Sequence, residues 1–317
     1  MAATSRLTRT IGARTPQAMI VPWGLVSAHD SSTHGYGSRV VATLAARGRE
    51  TNLIGLRLVR LAEGASETVG DDGEMCAVVL VGTVEVTVDG TSLGIAVRSG
   101  DVFDSLADAV YVPPGQMLEL RAVSDAVLAL AAAPVSDRKA GRARMIRPSD
   151  QHVRSAGTGN WSRTIRTLLG PDDEAGRLIV GETINPPGNW SSYPPHKHDR
   201  HAPPEEVALE EVYFYRFKPE SGFGVQLLYD DTGERAQIVR DGDVIVIPSG
   251  YHPVVAAPGY TLYYLWVMAG RGRALAPYLD PWHAWRRGSQ TVTVPVAGPS
   301  PGRTTRRRPR AARSSRE

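Results

Sequence analysis

A few residues in this 317-residue chain have the types and spacing of a metal site. His196 and His198 sit one residue apart, behind the approach Asn185-Pro-Pro-Gly-Asn-Trp-Ser-Ser-Tyr-Pro-Pro195. Glu210 and Glu211 follow, just ahead of an aromatic run, and His252 comes after the turn Pro248-Ser-Gly250. The chain holds only 8 histidines, so the grouping is not diluted by many others. Residues i and i+2 of a strand point to the same face, so His196 and His198 are expected to face inward together and offer two imidazole nitrogens to one ion. His252 and one carboxylate from later strands complete a three-histidine, one-carboxylate set, a donor type that suits Zn, Mn, Fe, Ni or Co.

Strand alternation chooses the carboxylate. If Tyr213, Tyr215 and Phe217 line an interior, Glu211 shares their face and Glu210 takes the other. Glu205 and Glu206 lie in a charged loop and read as solvated. An isolated His-x-His pair is a frequent accident. Its sequel, a glutamate before a strand and a histidine after Pro-x-Gly, makes the signal specific.

The elements that must position these residues are short strands. Leu53–Leu61, Ala77–Val81, Thr83–Val88, Ala109–Val112, Leu118–Ala122 and Ala126–Ala133 are rich in β-branched residues, and Asp89-Gly90 is a hairpin signal. Residues 134–160 are polar and basic and read as a linker. The texture then recurs in Thr164–Leu169, Leu178–Ile184, Val212–Phe217, Phe223–Tyr229, Val244–Ile247 and Thr261–Met268. Gly100-Asp-Val followed by Pro113-Pro-Gly115 matches Gly242-Asp-Val followed by Pro248-Ser-Gly250. That internal repeat predicts an all-β protein of two similar barrels in tandem, with the histidine cluster only in the second.

Composition is consistent with this. Hydrophobic residues make up 42% of the chain, with 32 Gly and 23 Pro, which fits short strands and many turns. A single cysteine, Cys76, excludes an internal disulfide framework and a cysteine-based zinc site, and fits a cytoplasmic location. The net charge of +3 is local in origin: seven arginines and one glutamate in Arg303–Glu317 contribute +6, leaving the rest at −3. Such a tail reads as disordered and solvated rather than as a nucleic-acid contact. No apolar run is long enough to span a membrane. The first 28 residues carry three arginines and no acid, and read as a loose extension.

Histidine, glutamate and histidine in this order within a Gly/Pro-punctuated β-domain resemble the cupin superfamily, with an insertion between His198 and Glu211. A closer resemblance accounts for that insertion. Gly188-Asn-Trp-Ser-Ser-Tyr-Pro-Pro-His-Lys-His-Asp199, Leu209-Glu-Glu-Val-Tyr-Phe-Tyr215, Ala257-Pro-Gly-Tyr-Thr-Leu-Tyr-Tyr-Leu-Trp-Val-Met-Ala-Gly270 and Asp280-Pro-Trp-His-Ala-Trp285 are similar to the 5-deoxy-glucuronate isomerase family, bicupins of myo-inositol catabolism. They cover most of residues 160–287, while the first half matches only in texture.

The texture along the chain predicts a loose extension over 1–45, a metal-free barrel over 46–140, a linker over 141–160, a metal-binding barrel over 161–290 and a basic tail over 291–317. By the family's pattern His196, His198, Glu211 and His252 would hold one divalent metal, Zn, Mn or Fe. The implied reaction is an aldose–ketose isomerisation of 5-deoxy-D-glucuronate to 5-dehydro-2-deoxy-D-gluconate. It requires a base that carries a proton between neighbouring carbons, for which Glu211, Tyr213 and Tyr264 are candidates. The substrate carboxylate needs a cation. Arg163 is one candidate, with Arg216 and Arg271 behind it, while Lys197 is expected structural or at a rim and Tyr251 near the sugar hydroxyls. His201 and His283 read as structural. A homo-oligomer built on the first barrel is compatible with this plan. The competing readings are a 5-dehydro-4-deoxy-D-glucuronate isomerase, a metal-dependent dioxygenase and a non-catalytic binding cupin.

Overall fold

The structure, a computed structural model, describes residues 20–21, 39–135, 140–286 and 292–293. Regular structure there consists of antiparallel strands and a few short 3-10 helices. The chain is an all-β, cupin-like protein. Among the described residues no helix is long and apolar enough to cross a membrane.

The first half is built on Glu74–Val88. Its early residues pair with Ala109–Val112 and Ala126–Ala133, its later ones with Thr91–Arg98 and Met117–Ala122. Two strands expected from the sequence are therefore one strand with a bend at Gly82. The bend requires glycine: φ is +90°, and a Cβ would lie 2.2 Å from the Asp125 carbonyl oxygen. Asp89 and Gly90 both have positive φ, the geometry of a tight hairpin turn.

The second half repeats this plan. Leu209–Lys218 pairs with Val244–Ile247 and Thr261–Gly270, and Phe223–Asp230 pairs with Gly233–Arg240 and Val254–Ala256. The registers correspond residue by residue. Met75 faces Val112, the residue before Pro113-Pro-Gly115, while Glu211 faces Ile247, the residue before Pro248-Ser-Gly250. Met75 thus occupies the place of Glu211, and Glu74 that of Glu210.

Both faces of the central strands are buried. Tyr213, Tyr215, Phe217, Tyr264 and Trp266 form the interior core of the second half. Val212, Phe214, Tyr263, Leu265 and Val267, on the opposite face, join the core of the first half. Reciprocal carboxylates reinforce this seam. Glu210 accepts from the backbone N–H groups of Asn52, Leu53 and Ile54 at 2.7, 2.7 and 3.3 Å. Glu74 accepts from those of Gly176, Arg177 and Leu178, each at 2.6 Å. Between them, Glu182 is fully buried and pairs with the guanidinium of Arg98, which is fully buried too, and accepts from the Tyr263 hydroxyl at 2.8 Å.

Two stretches depart from expectation. Arg39–Ala45, within the stretch read as a loose extension, pairs with Gly55–Leu61. The stretch read as a linker contains Arg144–Ile146, paired with Ala109–Val112, and His152–Ala156, paired with Arg163–Leu169. The two linker strands are short and rich in polar and basic residues, so they lack a legible alternation. Ile20–Val21 pairs with Val244–Ile247, and Val292–Thr293 with His152–Ala156. The rest of residues 1–38 and 287–317, including the basic tail, lies outside the described residues.

Removing one member of a buried ion pair strands the other's charge. Glu182→Ala is therefore expected to lower stability by about 3–5 kcal/mol, read by urea denaturation. Glu210→Ala should cost roughly 1–3 kcal/mol and speed amide exchange at Leu53 and Ile54, because three backbone donors lose their acceptor. Unchanged exchange at these amides would show that the seam does not depend on Glu210.

Candidate metal centre

His196 and Lys197 form a short strand against Tyr278–Leu279, with His196 opposite Leu279. The extended backbone turns His196 and His198 toward one cavity and Lys197 away from it. His252 follows Gly250, whose φ is +85° and whose Cβ would lie 2.8 Å from the Tyr229 carbonyl oxygen. Glycine there lets the chain reverse tightly enough to bring His252 inside. Potential ligand atoms of His196, His198 and His252 lie within 4.8 Å of one another. Glu211 Oε2 lies 3.0 Å from His198 Nε2 and 3.2 Å from His252 Nε2.

Backbone carbonyls fix the imidazole tautomers. Nδ1 of His196 is 3.2 Å from the Pro194 oxygen, that of His198 2.7 Å from the Leu209 oxygen, and that of His252 2.9 Å from the Gly250 oxygen. A carbonyl only accepts, so each Nδ1 carries a proton, and in the neutral ring this leaves Nε2 as the bare nitrogen. A lone pair of His198 then faces a carboxylate oxygen at 3.0 Å. Such an arrangement needs a proton or a cation between the two atoms.

The electrostatics describe the same conflict. Burial, and next the neighbouring His252 and His198, push the His196 imidazole down to about 3. Burial opposes ionisation of Glu211, but the two imidazoles beside it outweigh burial and hold its carboxyl at about 2. Burial also opposes protonation of His198, yet the Glu211 carboxylate raises its affinity for a proton. Glu211 Oε1 and His252 Nε2 are buried without a hydrogen-bond partner. Three imidazoles and a carboxylate are a donor set that suits a divalent first-row metal, and the hydrogen-bonded Nδ1 atoms are the usual support for such ligands. The residues present fit the group.

His196, His198 and Glu211 line a cavity of about 290 Å³, and His252 is fully enclosed beside them. Tyr213 and Tyr264 also line it, their ring centroids 4.5 Å apart. The Tyr213 hydroxyl is 2.9 Å from Ser192 Oγ, and the Tyr264 hydroxyl 2.6 Å from Ser191 Oγ. Burial pushes the Tyr213 phenol well above its ordinary value, which keeps it a hydrogen-bond donor. Arg163 lines the cavity as well and donates to the Trp161 carbonyl at 3.1 Å.

Other candidates lie elsewhere. Lys197 and Tyr251 line a neighbouring cavity of about 670 Å³. Lys197 is paired with Asp199 and Glu206, and Tyr251 stacks on Tyr229 with centroids 5.1 Å apart. The alternation that turns His196, His198 and His252 inward sends the residues between them to the other side. Glu206, read from the sequence as solvated, is instead buried and accepts from the backbone N–H groups of Asp199 and Arg200. Arg216 is held by Asp241. His283 packs edge-on against Tyr193. Sequence reasoning missed Ser191, Ser192 and Arg154. Arg154 sits in the stretch read as a linker, and its cavity-facing role is visible only once His152–Ala156 joins the sheet.

Known proteins resemble this chain in sequence and in fold. A 5-deoxy-glucuronate isomerase of Geobacillus thermodenitrificans is 39% identical over 268 residues, covering 82% of this chain and 94% of the relative. One from Bacillus subtilis strain 168 is 35% identical over 255 residues, covering 78% of this chain and 93% of the relative. The crystal structure of an IolB-like protein from Salmonella typhimurium LT2 matches with a TM-score of 0.72 and 30% identity, over 78% of this chain and 99% of that one. Bacillus subtilis oxalate decarboxylase matches with a TM-score of 0.53 at 15% identity, over 76% of this chain and 74% of that one, a likeness of fold alone. The model of the KduI/IolB family matches residues 25–286, and the chain belongs to that family.

Proposed function

We propose that this protein is a metal-dependent isomerase that converts 5-deoxy-D-glucuronate to 5-dehydro-2-deoxy-D-gluconate in myo-inositol catabolism, working in the cytoplasm. The observation that carries the reading is the convergence of three bare Nε2 atoms and the Glu211 carboxylate on one small cavity, in a chain whose relatives are named for that reaction. His196, His198, His252 and Glu211 would hold one divalent ion of Zn, Mn or Fe. Such an ion supplies Lewis-acid polarisation of the substrate's carbonyl and adjacent hydroxyl oxygens.

The chain's own residues handle protons and position. Isomerisation takes a proton from the carbon beside the carbonyl and returns it to the former carbonyl carbon, while the hydroxyl proton passes between the two oxygens. Glu211 Oε1 is ionised and free of hydrogen bonds, so it is the atom we assign to carry the carbon-bound proton. Tyr213 and Tyr264, oriented by Ser192 and Ser191, donate to the substrate oxygens. We divide the chain into a first barrel centred on 46–140, which Arg39–Ala45 and Arg144–Ile146 extend, and a second centred on 161–290, which His152–Ala156 extends. The first serves packing and oligomer contacts and holds Met75 where the second holds Glu211.

The decisive experiment pairs metal analysis with an isomerase assay of the wild type and His196→Ala. The wild type should carry roughly one divalent metal per chain, and the variant should lose metal and turnover together. An active, metal-free His196→Ala protein would sink this mechanism. Tyr264→Phe should keep the metal and lower kcat by about 10²–10⁴, the usual loss for a positioned proton donor. Parallel turnover tests on 5-dehydro-4-deoxy-D-glucuronate, and oxygen uptake by the iron-loaded protein, separate the isomerase from its two enzymatic rivals.

A further inference from the structure

Two guanidinium groups line the same cavity as the histidines. Arg154 lies on His152–Ala156 and Arg163 opens the neighbouring strand Arg163–Leu169. Arg163 pairs with Ala156 and Arg154 with Ile165, so the two arginines are diagonal neighbours on one face of the sheet. Like charges so placed repel unless an anion lies between them.

No anion among the described residues does so. Among the described residues neither arginine has an ion-pair partner, and the only hydrogen bond of either guanidinium is the one from Arg163 to the Trp161 carbonyl. Other cations of the second half are engaged: Arg166 with Glu182, Lys197 with Asp199 and Glu206, Arg216 with Asp241. Burial pushes both guanidiniums below their ordinary value, and the phenol of Tyr264 is the foremost group opposing that shift. An arrangement that keeps two partly buried cations unpaired in a cavity is costly for folding and suited to an arriving anion. Guanidinium forks match a planar carboxylate with two parallel N–H donors.

We propose that Arg154 and Arg163 form the anion-recognising end of the cavity and take the carboxylate of a sugar acid whose carbonyl end lies at the histidines. The pair then determines specificity for uronates over neutral aldoses. This inference rests on the isomerase reading for the identity of the substrate, but its binding chemistry is testable separately.

The test is calorimetric titration of the metal-loaded, full-length protein with D-glucuronate, D-glucose and D-glucose 6-phosphate. The wild type should bind D-glucuronate roughly 10–100-fold more tightly than D-glucose, the range for hydrogen bonds to a charged group. Arg154→Met and Arg163→Met should each remove most of that preference and the double variant all of it, with D-glucose affinity and metal content unchanged. Arg163→Lys should restore part of it, and serves if the methionine variants fail to fold. Melting temperatures should hold or rise in the methionine variants, because an unpaired charge is removed; a structural role for either arginine would lower them. An undiminished preference in the double variant, or in Arg163→Lys together with Arg154→Lys if only those fold, overturns the proposal. Tighter binding of D-glucose 6-phosphate than of D-glucuronate overturns the carboxylate assignment. Turnover of 5-deoxy-D-glucuronate is measured alongside: arginine-dependent binding without turnover defeats the isomerase reading and leaves the anion site, whereas turnover with arginine-independent selection defeats the anion site alone.

Discussion

The two-residue period of one strand governs this molecule. Leu209–Lys218 is buried on both faces, so each successive side chain goes either to the cavity or to the seam between the halves. Glu211, Tyr213, Tyr215 and Phe217 take the first side; Glu210, Val212 and Phe214 take the second. A slip of one residue would exchange the two sets. It would place Glu210 among the imidazoles, strip the 52–54 loop of its acceptor, and drive tyrosine hydroxyls into an apolar seam. Thr261–Gly270 divides its residues in the same way, Tyr264 and Trp266 inward, Tyr263 and Leu265 outward. The seam and the site are therefore specified together, and neither can change register alone.

Within that frame, the turns rather than the strands aim the imidazoles. The carbonyls that hold Nδ1 of His196 and His252 belong to Pro194 and Gly250, each in a Pro/Gly-rich segment whose backbone cannot join a regular ladder. Leu209, at the start of the central strand, supplies the third. Three rings are thereby oriented before any ligand arrives, which lowers the reorganisation needed to bind one.

The first half shows the same scaffold put to a different use. Met75 stands where Glu211 stands, and the strand around it is apolar through Cys76, Ala77, Val78 and Val79. Yet the residue before it, Glu74, does for the second half what Glu210 does for the first: each carboxylate ties down a loop of the other half through three backbone N–H groups. The repeat has kept the carboxylates that hold the halves together and varied the residue that faces inward.

The sequence alone determined the strands whose alternation or β-branched content is strong: Ala109–Val112, Ala126–Ala133 and Val244–Ile247 lie where the pattern places them. It also grouped His196, His198, Glu211 and His252, because a strand's period is local and the turn before His252 is written in Pro248-Ser-Gly250. Only the tertiary structure decided the rest. Arg154 belongs to a strand formed because a neighbour pairs with it, not because its own residues prefer to extend. Lys197, expected structural or at a rim, and Tyr251, expected near the sugar hydroxyls, both line a second cavity that no local pattern announces. Glu206 is buried through contacts its polar loop does not announce. Local pattern fixes which face a side chain takes. Which other chain segment lies across from that face is a long-range property, and the wall of this cavity was built from such segments.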